Sequence, residues 1–73
     1  MTQNEKILRH LEEHGIITPL DALSEYGIMR LASRISDLKR DGVPITKKMV
    51  KAKNRFGEPV SYAAYSLGSG GNG

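Results

Sequence analysis

The chain has no cysteine and no tryptophan, and only one phenylalanine and three tyrosines among its 73 residues. Without cysteine no disulfide staples the fold and no thiolate can hold a metal. That composition suits a reducing compartment. Long apolar runs are also missing. Nothing approaches the ~20 consecutive apolar residues that a membrane-spanning helix needs, so no membrane partner is expected. The opening MTQNEKILRH lacks the apolar stretch of a secretory signal. No glycine-rich loop precedes a helix, because the only glycine run is the terminal GSGGNG, and no elbow motif surrounds the scattered serines. His10 and His14 have a metal-compatible i, i+4 spacing. No third ligand accompanies them, and both read as solvent-exposed side chains. Glu12 and Glu13 are adjacent, so a helix points them in different directions. No catalytic residue, metal site or cofactor is expected, and the chain does not read as an enzyme.

A chain this short holds one domain with a small core. Its charge is unevenly spread. Residues 1–28 carry Lys6 and Arg9 against five carboxylates, a net −3, whereas residues 29–73 carry nine basic side chains against Asp37, Asp41 and Glu58, a net +6. Such asymmetry turns one end of a molecule toward an anionic partner.

Three helices are predicted. In TQNEKILRHLEEHG, Thr2 and Glu5 have capping-box spacing, Ile7, Leu8 and Leu11 form a narrow apolar stripe, and Gly15 stands where a helix ends. Ile16 and Ile17 suffice only for a brief extended link. Thr18 then caps a second helix, with Pro19 at its first position and Asp21 in its first turn. This helix runs to Tyr26 and is expected to bury Leu20 and Leu23. Gly27 breaks it, and the apolar period restarts at once with Ile28, Leu31, Ile35 and Leu38, so the third helix is expected to begin directly after the glycine. Two helices joined by a short glycine-containing turn form a helix-turn-helix unit. Gly42 and Pro44 end the third helix.

After Gly42 the chemistry changes. ITKKMVKAK and VSYAAYSL are rich in β-branched and aromatic residues, and NRFGEP between them is a turn cluster, so a hairpin with a loop of about six residues is expected. Ile45 and Val50 should both face inward, yet their parity is opposite. A bulge near Lys47–Lys48 would reconcile them. On the second strand Ala63, Tyr65 and Leu67 are expected to face the helices. Residues 1–67 form the domain, and residues 68–73 form a Gly/Ser tail with nothing to bury.

The order helix, helix-turn-helix, hairpin is that of a winged helix: an α+β fold of three helices followed by a two-stranded wing. The stretches ITPLDALSEYGIMRLASRISDLKRDGVPI and KAKNRFGEPVSYAAYSL resemble the small winged helix-turn-helix proteins of bacteriophages and prophages. The resemblance spans roughly residues 3–67. It implies double-stranded DNA as partner, a regulatory role in transcription or in a phage process such as excision, and the cytoplasm of a bacterial host as location. Many winged helices act as dimers, but no long apolar helix remains here to make one. One departure stands out. Broader winged-helix sequences often open the recognition helix with Ser or Thr, where this chain has Met29 and Arg30, which leaves Gly27 as the cap.

The candidate site follows from helical geometry. Leu31, Ile35 and Leu38 cluster within about 60°. The other side carries Met29, Ser33, Ser36, Asp37 and Arg40, with Arg30 beside them and Arg34 on the flank. Arginine can take guanine O6 and N7 or clamp phosphate, and serine can contact either. Asp37 can accept from cytosine N4 or orient Arg30, Arg34 or Arg40 through a helical pair. On the hairpin, Lys47, Lys48, Lys51, Lys53 and Arg55 form a run with no acidic residue between them, suited to phosphates. Arg55 and Phe56 at the turn can probe a minor groove, or Phe56 can fold back onto the core. The rival reading is a protein-binding adaptor. That role needs an exposed apolar patch, of which Met29 and Phe56 are the only hint.

Overall fold

A computed structural model describes residues 1–68. The first helix, α1, spans Gln3–His14. Its capping box is complete: the Glu5 N–H donates to the Thr2 hydroxyl at 3.1 Å, and the Thr2 N–H donates to the Glu5 carboxylate at 2.7 Å. Gly15, left-handed at φ 83°, closes the other end with its N–H on the Leu11 carbonyl. Ile7, His10 and Leu11 form the buried face.

Ile16–Ile17 is more than a link. These two residues form strand β1, which pairs antiparallel with the last strand through Ile16↔Ser66 and Ile17↔Tyr65. The sheet therefore has three strands, not the two expected. Ile17 is fully buried, and it is this core contact that brings so short a segment onto the sheet.

Helix α2, Pro19–Tyr26, again opens with a full capping box, Thr18 with Asp21. Its rotation differs from the expectation. Leu20 and Leu23 are 72% and 48% exposed, and Ala22 is the buried residue, with Tyr26 packed against the core. Ala22 and Tyr26 lie one turn apart on a single face. Tyr26 is anchored there by a 2.8 Å hydrogen bond between its hydroxyl and Nδ1 of the buried His10, which sets the phase of the helix. His10 is thus not the exposed side chain expected; only His14 is.

The turn is longer than predicted. Gly27 ends α2 in the left-handed conformation, φ 68°, instead of starting the next helix. The Gly27 N–H donates to the Leu23 carbonyl at 2.9 Å and the Ile28 N–H to that of Ala22 at 3.0 Å. Ile28 is buried within the turn, and α3 begins only at Leu31 and ends at Arg40. Leu31, Ile35 and Leu38 form its buried face, as the spacing predicts.

Strands β2, Ile45–Lys53, and β3, Pro59–Leu67, pair without interruption from Ile45↔Leu67 to Lys53↔Pro59. There is no bulge near Lys47–Lys48. Ile45 lies on the helix side with Ala63, Tyr65 and Leu67, and Val50 lies on the opposite face with Ala52, Val60 and Tyr62. Opposite parity needs no reconciling, because the hairpin outruns the helices and both its faces are available. The loop is residues 54–58, one residue tighter than expected.

The sheet order is β1-β3-β2. The core gathers Ile7, Leu11, Ile17, Ala22, Ile28, Leu31, Ile35, Leu38 and Tyr65, one contribution or more from each helix and from the base of the sheet. Gly68, the first residue of the expected tail, donates its N–H to the Pro44 carbonyl at 2.6 Å. The rest of that tail, 69–73, lies outside the described residues. Among the described residues no helix is long and apolar enough to cross a membrane.

Candidate nucleic-acid interface

The core fixes α3 by one face, so its other face is set by subtraction. Met29 is 84% exposed, Arg30, Ser36 and Arg40 are exposed, and Ser33, Arg34 and Asp37 are half-buried. The carboxylate of Asp37 is committed within its own helix. One oxygen lies 3.2 Å from an Arg34 Nη and the other 3.6 Å from an Arg40 Nη. Of the two roles open to Asp37, the geometry shows orientation of arginines, and the arginines are Arg34 and Arg40. Arg30 forms no ion pair among the described residues.

Arg30 also occupies the N-cap of α3, where no side chain hydrogen-bonds the free amides, and its ψ of 61° departs from the extended geometry of a capping residue. The first-turn N–H groups and the positive end of the helix dipole are therefore available to an anion beside the Arg30 guanidinium. An open depression at this end is lined by Gln3, Gly27, Met29, Arg30, Ser33 and Arg34. Gln3 is not among the residues to which the sequence points. It comes from the first turn of α1, and nothing local in the sequence marks it, since only the packing of α1 against α3 brings it there.

The wing sorts the basic run by parity. Lys47, Met49, Lys51 and Lys53 alternate onto the side of β2 that faces the helices, in the same row as Ile45. Lys48 points to the opposite face, beside Val50. So three of the four lysines form one row, continuous with the side of the molecule that carries α3. None of the four enters an ion pair among the described residues. Glu58, the one carboxylate on the hairpin, is held by the Asn54 side-chain amide at 2.9 Å. At the tip, the Arg55 guanidinium carbon lies 5.7 Å from the centre of the Phe56 ring, and Phe56 is 78% exposed instead of folded onto the core.

A winged helix-turn-helix domain model matches residues 2–70. The chain belongs to the winged helix-turn-helix domain family. No curated protein matches it. In this family's terms α2, the turn and α3 are the helix-turn-helix, and β2 and β3 are the wing. Membership points to DNA binding.

Among the described residues no group of three or more His, Cys, Asp and Glu could hold a metal ion. The His10–His14 pair, with ring centres 4.6 Å apart, spends His10 on Tyr26. Burial, followed by the nearby Glu25, Glu13 and Asp21 carboxylates, pushes the Tyr26 hydroxyl above its ordinary pKa and keeps it protonated as a hydrogen-bonding group.

Proposed function

We propose that this domain is a sequence-specific double-stranded DNA-binding protein, a regulator of transcription or excision of phage or prophage origin that works in the bacterial cytoplasm. Helix α3 enters the major groove, where Arg30, Ser33 and Arg34 meet base edges and flanking phosphates. Met29 lies against the groove wall, and Asp37 holds Arg34 and Arg40 in place. The wing runs along the backbone, with Lys47, Lys51 and Lys53 toward the duplex and Arg55 at its tip. The observation that carries this reading is Arg30 at an uncapped helix N-terminus, together with a row of Lys47, Lys51 and Lys53 on the helix-facing side of β2, none of them in an ion pair among the described residues. The open helix N-terminus favours a phosphate, which leaves the Arg30 guanidinium for the neighbouring base edge.

The test is selection of a site from a random duplex pool, followed by fluorescence anisotropy on selected and random DNA across a salt series. Enrichment of a sequence and a steep salt dependence are expected. If the pool yields no enriched sequence, only general DNA binding survives.

A protein-binding adaptor is the second reading, and one observation favours it. Exposed apolar side chains are more numerous than Met29 and Phe56 alone. Leu20, Pro19 and Tyr62 line one depression with Thr18 and Asp21, and Ile16 and Val60 are also exposed. Tyr62 and Val60 lie on the sheet face opposite the lysine row. If Arg30→Ala and Lys51→Ala bind DNA as the parent does, this apolar surface becomes the functional one.

A further inference from the structure

The wing tip is built more firmly than a hairpin turn requires. A single side chain, Asn54, organises it. Its Oδ1 accepts the N–H of Phe56 at 2.9 Å and that of Glu58 at 3.0 Å, and its Nδ2 donates to the Glu58 carboxylate at 2.9 Å. The backbone closes the same loop, with the Asn54 N–H on the Glu58 carbonyl and the Gly57 N–H on the Asn54 carbonyl, both at 3.0 Å. Gly57 supplies the left-handed residue, φ 77°, that the turn needs. What this frame holds out is the chain's only phenylalanine, 78% exposed, flanked by the Arg55 guanidinium.

A large apolar ring in water is unfavourable, and fixing it on a rigid loop adds nothing to the stability of a core it does not touch. The ring's chemistry fits a partner that offers another π-face or an apolar slot. The charge around it narrows the choice. Arg55 beside it, with Lys53 and Lys51 along the strand that leads to it, outweighs the single Glu58 carboxylate, which Asn54 holds, and this net positive tip suits the stacked bases of a nucleic acid between two phosphate chains and disfavours an ordinary apolar protein pocket. Apolar side chains driven between base pairs from the minor groove unstack a step and kink the duplex.

We propose that Phe56 is a wedge: on the DNA-bound protein it inserts between two base pairs of the minor groove, with Arg55 on the adjoining backbone, so that binding opens one step and bends the duplex. This rests on the DNA-binding reading above and adds to it a distortion that groove contact alone does not produce. Asn54 is a positioning residue, because it aims the ring without touching the bases.

The experiment uses the selected duplex with 2-aminopurine substituted in turn at each adenine, together with end-labelled duplex for bend measurement by energy transfer. Anisotropy on the same samples reports binding separately. The full chain is expected to raise the fluorescence at one step several-fold and to shorten the end-to-end distance. Phe56→Ala is expected to abolish both signals and to weaken binding by about tenfold, the loss of one stacking contact. Its melting should match the parent closely, because the ring has no part in the core and meets only the exposed Arg55 guanidinium. Phe56→Leu, still an apolar wedge, should retain part of the bend. If the parent binds but no step brightens and the duplex stays straight, the wedge is wrong and the DNA-binding reading stands. If Phe56→Ala keeps both signals, the distortion comes from elsewhere and the wedge is again wrong. If the parent does not bind duplex DNA, both readings fall together.

Discussion

Helices α1 and α2 begin in one way and α3 in another. Thr2 with Glu5 and Thr18 with Asp21 make reciprocal capping boxes, so each of these helices satisfies its first amides from within. At α3 the capping position holds Arg30, which offers no acceptor, and the first turn holds no carboxylate. Two of the helices close their N-termini with their own chemistry, and the third leaves its own open with a positive side chain beside it. That difference suits the proposed function, in which a phosphate meets α3 there. The open end has a cost, since a missing cap forgoes about 1 kcal/mol. The α3 packing offsets it, because Leu31, Ile35 and Leu38 are all nearly inaccessible to solvent.

The largest effect should therefore come from that packing. Leu38→Ala is expected to cost about 2–5 kcal/mol, a large share of the total for a domain of this size. Thermal or urea unfolding measures it. A variant that melts like the parent would mean that α3 is held by something other than its buried face.

Next in size is the effect on binding. Arg30→Ala should weaken a selected site by about 1–3 kcal/mol and barely change random DNA, because base contacts discriminate and phosphate contacts do not. Lys51→Ala and Lys53→Ala should weaken both duplexes alike and lower the salt slope by about one each. Lys48→Ala, on the other face of β2, should change the slope less than either. Anisotropy across a salt series reads all four. If Lys48 matches Lys51, the row on one face is not the contact surface.

What could be read in advance, and what could not, divides along the same line as the caps. Thr2, Glu5, Gly15, Thr18 and Asp21 act on neighbours within four residues, and the Leu31, Ile35, Leu38 stripe is a period within one helix, so each was legible. The remaining features depend on partners distant in sequence. Leu20 and Leu23 outweigh Ala22 in hydrophobicity, yet Tyr26 turns α2 by bonding His10 on another helix. Ile17 becomes a strand only because Tyr65 lies beside it. A bulge is needed only if Ile45 and Val50 share one core, and the hairpin has two faces. In the candidate site, helical spacing puts Ser33 on the open face, Arg30 beside it and Arg34 on its flank. Gln3 reaches the same depression through tertiary packing that no local pattern encodes.

A smaller effect tests the caps directly. Thr18→Ala removes a hydroxyl that accepts the Asp21 N–H at 3.2 Å, and should cost about 1 kcal/mol. Arg30→Ala removes no cap and should stay within about 0.5 kcal/mol of the parent. Chemical denaturation of the two variants gives the comparison. An equal loss in both would show that Arg30 stabilises the start of α3 by a contact of its own, and the view of that end as open for a ligand would fail.

The smallest effect is the pH dependence of the α1 cap. The backbone hydrogen bond from Thr2, reinforced by the one involving the Thr2 hydroxyl, holds the Glu5 carboxyl below the usual glutamate range, with burial acting weakly the other way. A carboxylate whose folded pKa is depressed adds stability above its unfolded pKa and loses it as the pH falls through the folded value. The contribution of Glu5 is thus complete at neutral pH and disappears only in acid, below the pH at which a free glutamate would be protonated. Glu5→Gln can keep the hydrogen bond at this position but not the charge. Melting temperatures of parent and variant should therefore differ near neutral pH and converge in acid, while the other carboxylates titrate identically in both and cancel. Since α3 has no acid in its first turn, none of this pH dependence can come from its N-terminus. Curves that stay parallel from neutral pH into acid would show that the charge on Glu5 adds nothing to the cap, and that the two kinds of helix end differ in hydrogen bonding alone.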